Sequence, residues 1–186
     1  VIALLDSLDV KMARLVGHSQ GCLVAIDATA RYPERVSRLG LIAGALAIPV
    51  NDQLLTMSDE ALGKAISVMT SWGHGPMGHM HDNTQPGHSF LGYGKRLMTS
   101  NHADALRNDL KACNNYSGGK ASAAKIVQPA LCILAGSDRM TPIKFGMAMA
   151  DSLVNSERVI MNGAGHMLPA ERPAEVNDAL RHFLSS

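Results

Sequence analysis

Along this chain, short uninterrupted apolar runs alternate with segments of helical periodicity. Ala13-Arg14-Leu15-Val16, Val36 to Ala45, Ala130 to Ala135 and Arg158-Val159-Ile160-Met161 are the aliphatic runs. Runs of that kind mark strands covered on both faces, as in a parallel sheet. Val1 to Val10 sets Leu4, Leu5 and Leu8 on one helical face, with Asp6, Ser7 and Asp9 between them. Residues 20 to about 31 form a second helix, stopped at Tyr32-Pro33 because the residue before a proline resists helical geometry. Thr141-Pro142 has the form of a helix start, threonine as cap and proline at the first position. Pro173 opens a last helix with the apolar stripe Val176, Leu180, Phe183 and Leu184. The pattern predicts an α/β fold, a mostly parallel sheet with flanking helices.

Residues 50–119 break this rhythm. Ser58 is placed to cap a helix running to about Trp72, with Asp59 and Glu60 favourably in its first turn. Gly73 to Gly94 is dense in Gly, His, Met and Pro, and a polar helix follows around His102 to Tyr116, ended by Ser117-Gly118-Gly119. The block is too long for a simple loop. It is expected to be a helical cap or lid standing over a core made of residues 1–49 and 120–186.

Composition narrows the class. Hydrophobic residues make up 46% and charged residues 18% of the 186, which is a globular balance. A net charge of +1 provides no footprint for nucleic acid or a membrane surface. No apolar run approaches the ~20 residues of a membrane span. Cys22, Cys113 and Cys132 are scattered and odd in number, so buried free thiols in a reducing, cytoplasmic setting are expected.

The chemistry lies at the strand ends. Gly17-His18-Ser19-Gln20-Gly21 reads G-x-S-x-G between a strand and a helix, the setting of a sharp turn that lifts a serine hydroxyl above the sheet. Glycines on either side are expected because bulk two residues from the serine would strike the adjacent strand and helix. Gly136-Ser137-Asp138 and Gly163-Ala164-Gly165-His166 each follow a strand in the same way. In an open α/β sheet that edge is where ligands bind. A hydroxyl needs a base, which His166 supplies, and Asp138 can hold the imidazole in the right tautomer. Asp138 also suits a plain turn.

Other residues invite comparison. His18 is expected to be structural, packed beside the elbow, and to point away from Ser19 if strand alternation extends to it, and His182 falls on the solvated last helix. His74, His79, His81 and His88, with Asp82, have imidazoles that suit a metal, yet they lack cysteine or ordered carboxylate spacing; no metal is expected. Met57, Met69, Met77, Met80 and Met98 fit either an adaptable apolar pocket or the core of the insertion itself.

With these pieces the sequence resembles the α/β-hydrolase superfamily, in particular its esterase and carboxylesterase-like members with a helical cap. The matching stretches are G-H-S-Q-G, P-A-L-C-I-L-A-G-S-D-R-M-T-P and G-A-G-H-M-L-P-A-E-R-P-A-E-V, in the order Ser, acid, His. The resemblance implies a triad of Ser19, Asp138 and His166, with the backbone N–H of Gln20 as an oxyanion donor. It implies a small-molecule ester (or thioester) substrate and no cofactor. Cleavage of carbon–carbon bonds, a cofactor-free haloperoxidase-like activity and a non-catalytic binding protein are the alternatives, since related sites host several chemistries. Epoxide and haloalkane hydrolases use a carboxylate where Ser19 stands. The family's sheet carries further strands before the serine, with a loop that supplies a second oxyanion donor, and residues 1–12 cannot encode them. The chain is therefore expected to match the carboxyl-terminal part of such a protein, with an open sheet edge, aggregation and weak or absent activity alone.

Overall fold

Four strands form one parallel sheet: β1 (Ala13–His18), β2 (Val36–Ile42), β3 (Ala130–Ala135) and β4 (Ser156–Met161), in the order β1-β2-β3-β4. The structure, a computed structural model, describes residues 1–80 and 89–185. Helix α1 (Ile2–Ser7) precedes β1, and α2 (Gln20–Arg31) joins β1 to β2. The connection from β2 to β3 holds α3 (Asp52–Glu60), α4 (Leu62–Gly73), α5 (Pro76–Met80), α6 (Phe90–Thr99), α7 (Ala105–Asn115) and α8 (Gly119–Ala123). Helix α9 (Ile143–Asp151) joins β3 to β4, and α10 (Leu168–Glu171) and α11 (Pro173–Ser185) end the chain.

Strand β3 shows why continuous apolarity means two-sided burial. All its residues are buried. Ala130, Cys132 and Leu134 enter a core with Cys22, Ala25 and Ile26 of α2 and Met149 of α9. Leu131, Ile133 and Ala135 enter a second core with Leu168, Val176 and Phe183 from α10 and α11. Each large aliphatic side chain buried this way contributes about 1.5–3 kcal/mol. Strand β1 is different. It lies at the edge of the described sheet, and Val16 is 45% exposed.

Several local expectations are corrected. Strand β2 stops at Ile42 because Ala43 turns to φ 47°, while its N–H still donates to the Ile133 carbonyl at 2.9 Å. The helix expected from Ser58 is two helices, α3 and α4, meeting at Ala61 (φ −148°, ψ 58°). Asn51 is the cap of α3, its side chain accepting from the Gln53 N–H at 2.7 Å. Ser58 is buried inside α3 and donates to the Leu55 carbonyl. Burial of Leu54 and Ala65 against Leu110 of α7 places the start of α3 earlier than the Asp59-Glu60 signal indicated. Helix α1 forms as its spacing predicts, yet Leu4 and Leu8 are 61% and 62% exposed.

Cys22, Cys113 and Cys132 are all buried and unbridged, and burial pushes the Cys132 thiol up to about 12. No helix among the described residues is long and apolar enough to cross a membrane.

Candidate active site

Ser19 sits where β1 ends and α2 begins, at φ 55° and ψ −120°. A non-glycine residue there costs about 1–3 kcal/mol, and such strain collects where function needs a fixed geometry. Its N–H donates to the Ile42 carbonyl at 2.9 Å, which ties the turn to β2, and its hydroxyl does not cap α2. The flanking glycines differ in what they permit. A Cβ on Gly17 would lie 2.3 Å from the Gly21 carbonyl oxygen, so helix and strand approach only because that atom is missing. A Cβ on Gly21 would meet nothing within 4 Å, which corrects the expectation that both glycines relieve a clash. Gln20 is the first residue of α2, so its backbone N–H has no intrahelical acceptor and stands at the positive end of the helix.

Asp138 and His166 meet at the ends of β3 and β4. Their side chains are 1% and 3% exposed, and His166 Nδ1 donates to Asp138 Oδ2 at 2.8 Å. A carboxylate only accepts, so this bond places the proton on Nδ1 and leaves Nε2 as the basic nitrogen. Asp138 Oδ1 accepts the N–H groups of Met140 and Thr141, each at 2.8 Å. Burial alone pushes the Asp138 pKa up. The hydrogen bond and charge of His166, with the donors of Thr141, outweigh it, and the net shift is downward.

Thr141 is the residue whose role the sequence pattern misassigned. Pro142 takes the cap position of α9, and the threonine hydroxyl turns inward instead. It lies 2.8 Å from both the Ala43 carbonyl and Asp138 Oδ2, and 3.2 Å from His166 Nδ1. A T-P dipeptide three residues after an aspartate allows either role, and only the position of Ala43 decides between them.

Two cavities open from Ser19. One, about 190 Å³, brings Ser19 and His166 to a common space walled by Met69, Met98, Met140 and Met167. The other, about 360 Å³, runs past Gln20 to Leu54, Trp72, Leu110 and Arg139. A model of the alpha/beta hydrolase family matches residues 2–179.

The chain belongs to the alpha/beta hydrolase family.

An uncharacterized hydrolase of Bacillus subtilis (strain 168), YugF, is 24% identical over 200 residues, covering 99% of this chain and 69% of that protein. A 2-hydroxy-6-oxononadienedioate/2-hydroxy-6-oxononatrienedioate hydrolase of Pseudomonas sp is 24% identical over 199 residues, 97% of this chain and 66% of that protein. This alpha/beta hydrolase chain thus spans about two thirds of the length of these curated relatives. Among solved structures, the enol-lactonase from Burkholderia xenovorans LB400 superposes with a TM-score of 0.88 at 20% identity, over 100% of this chain and 70% of that one. At that identity the likeness is one of fold.

Other residues of this hydrolase fall differently from their sequence patterns. His18 lines the smaller cavity together with Ser19, against the expectation that it points away. His74 also lines it, with Nδ1 on the Thr70 carbonyl at 2.9 Å, whereas His79 reaches the Ser71 carbonyl at 3.0 Å. His81, Asp82 and His88 lie outside the described residues. Among the described residues no three His, Cys, Asp or Glu side chains group as metal ligands. Met69 and Met98 wall the cavity while Met57 packs beside Leu54 and Ala65; the side chains of Met77 and Met80 are outside the description.

Proposed function

We propose that this alpha/beta hydrolase cleaves a carboxylic ester or thioester of a small, largely apolar molecule through an acyl-enzyme, with residues 50–119 as its cap. The observation that carries this reading is the buried Asp138–His166 pair, whose histidine borders the same cavity as a strained Ser19. Ser19 attacks the carbonyl carbon while His166 Nε2 takes its proton. The oxyanion that develops is met by the Gln20 N–H. Protonated His166 then gives its proton to the leaving oxygen or sulfur; in the second half it takes a proton from the attacking water and returns it to Ser19 Oγ as the acid departs. The scheme uses no cofactor.

The same chemistry orients the substrate. A general acid must stand beside the leaving group, so the methionine-walled cavity at His166 takes the alcohol or thiol. The larger cavity, on the Gln20 side, takes the acyl group. Labelling of Ser19 by a fluorophosphonate probe, abolished by Ser19→Ala, together with hydrolysis of p-nitrophenyl esters, tests this. The absence of both labelling and turnover counts against this reading and favours a binding protein.

A second reading is carbon–carbon bond hydrolysis. It is favoured by the relative named for a 2-hydroxy-6-oxo dioate, and by Arg139, which lines the larger cavity without an ion pair among the described residues and suits a carboxylate. Turnover of such a dioate without turnover of simple esters would put this reading first.

A further inference from the structure

The loop that carries His166 is pinned to the helical block through one carboxylate. Glu171, the last residue of α10, turns Oε2 back to accept the N–H of Gly165 at 3.0 Å and the N–H of Gly75 at 3.1 Å. Between those bonds the two backbones touch. A Cβ on Gly165 would lie 2.1 Å from the Gly75 nitrogen, and a Cβ on Gly75 would lie 2.6 Å from the Gly165 nitrogen. Alongside, the Met167 N–H donates to the Gly73 carbonyl at 2.8 Å. The end of α4 and the loop around His166 are therefore in backbone contact, and hydrogen bonds to a charged acceptor close that contact.

This arrangement carries a cost. Glu171 Oε1 is buried and has no partner among the described residues. A bare buried oxygen of this kind is destabilising, because it gives up its water without gaining a donor. Fold stability alone favours an apolar side chain at such a point. A carboxylate there is explained by what its other oxygen holds in place.

We propose that Glu171 is a positioning residue for His166, locking the histidine loop to the end of α4 so that the base and one wall of the smaller cavity move as one body. That wall is Met69, Thr70, Gly73 and His74. A leaving group pressing on it acts on His166 through Gly75, Glu171 and Gly165. The proposal rests on the serine-hydrolase reading only in naming His166 as the base.

The test compares Glu171→Ala with Glu171→Gln in the full chain. Glutamine keeps one oxygen for both N–H groups but buries an unpaired amide, so it lowers thermal stability while retaining the clamp. Alanine removes the clamp. Two readouts are followed: the low-field proton resonance of His166 Nδ1–H, and the second-order rate of Ser19 labelling by a fluorophosphonate. In the alanine variant the resonance broadens or vanishes and labelling slows by about 10–100-fold, the cost of a base misplaced by about an ångström. In the glutamine variant both stay near the parent values despite the lower melting temperature. Gly75→Ala, which wedges the two backbones apart, reproduces the alanine phenotype, and the double variant is hardly worse than either single one.

A folded Glu171→Ala protein with an unchanged resonance and unchanged labelling overturns the proposal, as does an equal loss in the glutamine variant. Where Glu171→Ala does not fold, Glu171→Asp, too short to reach both N–H groups, and Gly75→Ala decide it, and an unchanged His166 resonance in both overturns it. Where the parent chain itself is not labelled, the serine-hydrolase reading fails. The resonance, which needs no substrate, then still judges Glu171.

Discussion

His18 Nε2 donates to the backbone oxygen of His166 at 2.8 Å, and the two rings lie 4.9 Å apart, tilted by 45°. A carbonyl only accepts, so His18 must carry its proton on Nε2. The elbow strand and the histidine loop are thus joined by the side chain immediately before Ser19.

Burial of His18 at this junction makes stability depend on pH near neutrality. Burial pushes the His18 pKa down, and the neighbouring His166 adds to that; the bond to the His166 carbonyl and the charge of Asp138 oppose without cancelling it. The folded pKa thus lies below the unfolded value of about 6.5. In that interval the unfolded chain binds more protons, so stability rises with pH through it and falls as the pH drops below about 6.5. Thermal unfolding across a pH series is expected to show this slope, and His18→Gln to flatten it. A parent profile flat from pH 7 down to pH 5.5 would contradict the assignment.

Asp138 has the opposite place on the pH scale. Its folded pKa is depressed, so its contribution is present above the unfolded value of about 3.9 and is lost as pH falls through the folded one. Asp138→Asn is expected to remove that acid-side loss. It also allows the wrong imidazole tautomer and slows Ser19 labelling by about 10⁴-fold. Labelling within tenfold of the parent would separate Asp138 from the chemistry.

The two elbow glycines are expected to respond unequally. Gly17→Ala forces a Cβ to within 2.3 Å of the Gly21 carbonyl and is expected to abolish folding or lower the melting temperature severely. Gly21→Ala meets no atom within 4 Å at a helical position, where alanine is favoured by about 1 kcal/mol. It is expected to leave the melting temperature unchanged or raise it. Equal destabilisation by both substitutions would refute the contrast.

Thr141→Val keeps the shape and removes the hydroxyl. The Ala43 carbonyl, on a residue 2% exposed, and Asp138 Oδ2 share that single hydroxyl proton, and its loss costs about 1–3 kcal/mol measurable by denaturant unfolding. The backbone donors to Asp138 Oδ1 persist, so Ser19 labelling is expected to slow far less than in Asp138→Asn. Thr141→Ser is expected to recover most of the stability. A valine variant as stable as the parent would exclude the hydroxyl from the network.

Much of this molecule is legible in local pattern, because local pattern is what forms strands and helices. Six uninterrupted apolar residues at 130–135 specify a strand buried on both faces, and β3 has those bounds. Gly17 to Gly21 between strand and helix specifies a strained turn at Ser19, and Asp138 and His166 follow strand ends by the same logic. What stayed illegible depends on partners distant in sequence. Ser58 matches a cap as well as Asn51 does until Leu110 shows which turn is buried. His18 obeys strand alternation only up to the point where Ser19 leaves strand geometry.

The sequence by itself therefore determined the strands, the order of serine, acid and histidine, and the turn chemistry at each, since these depend on side chains a few residues apart. The tertiary structure alone decided that Thr141 turns its hydroxyl inward toward the Ala43 carbonyl, that His18 holds the His166 loop, and that Glu171 joins Gly75 to Gly165. Each of those bonds closes across tens of residues or rests on a backbone carbonyl or N–H. Such groups occur at every position, and only packing selects the one that is used.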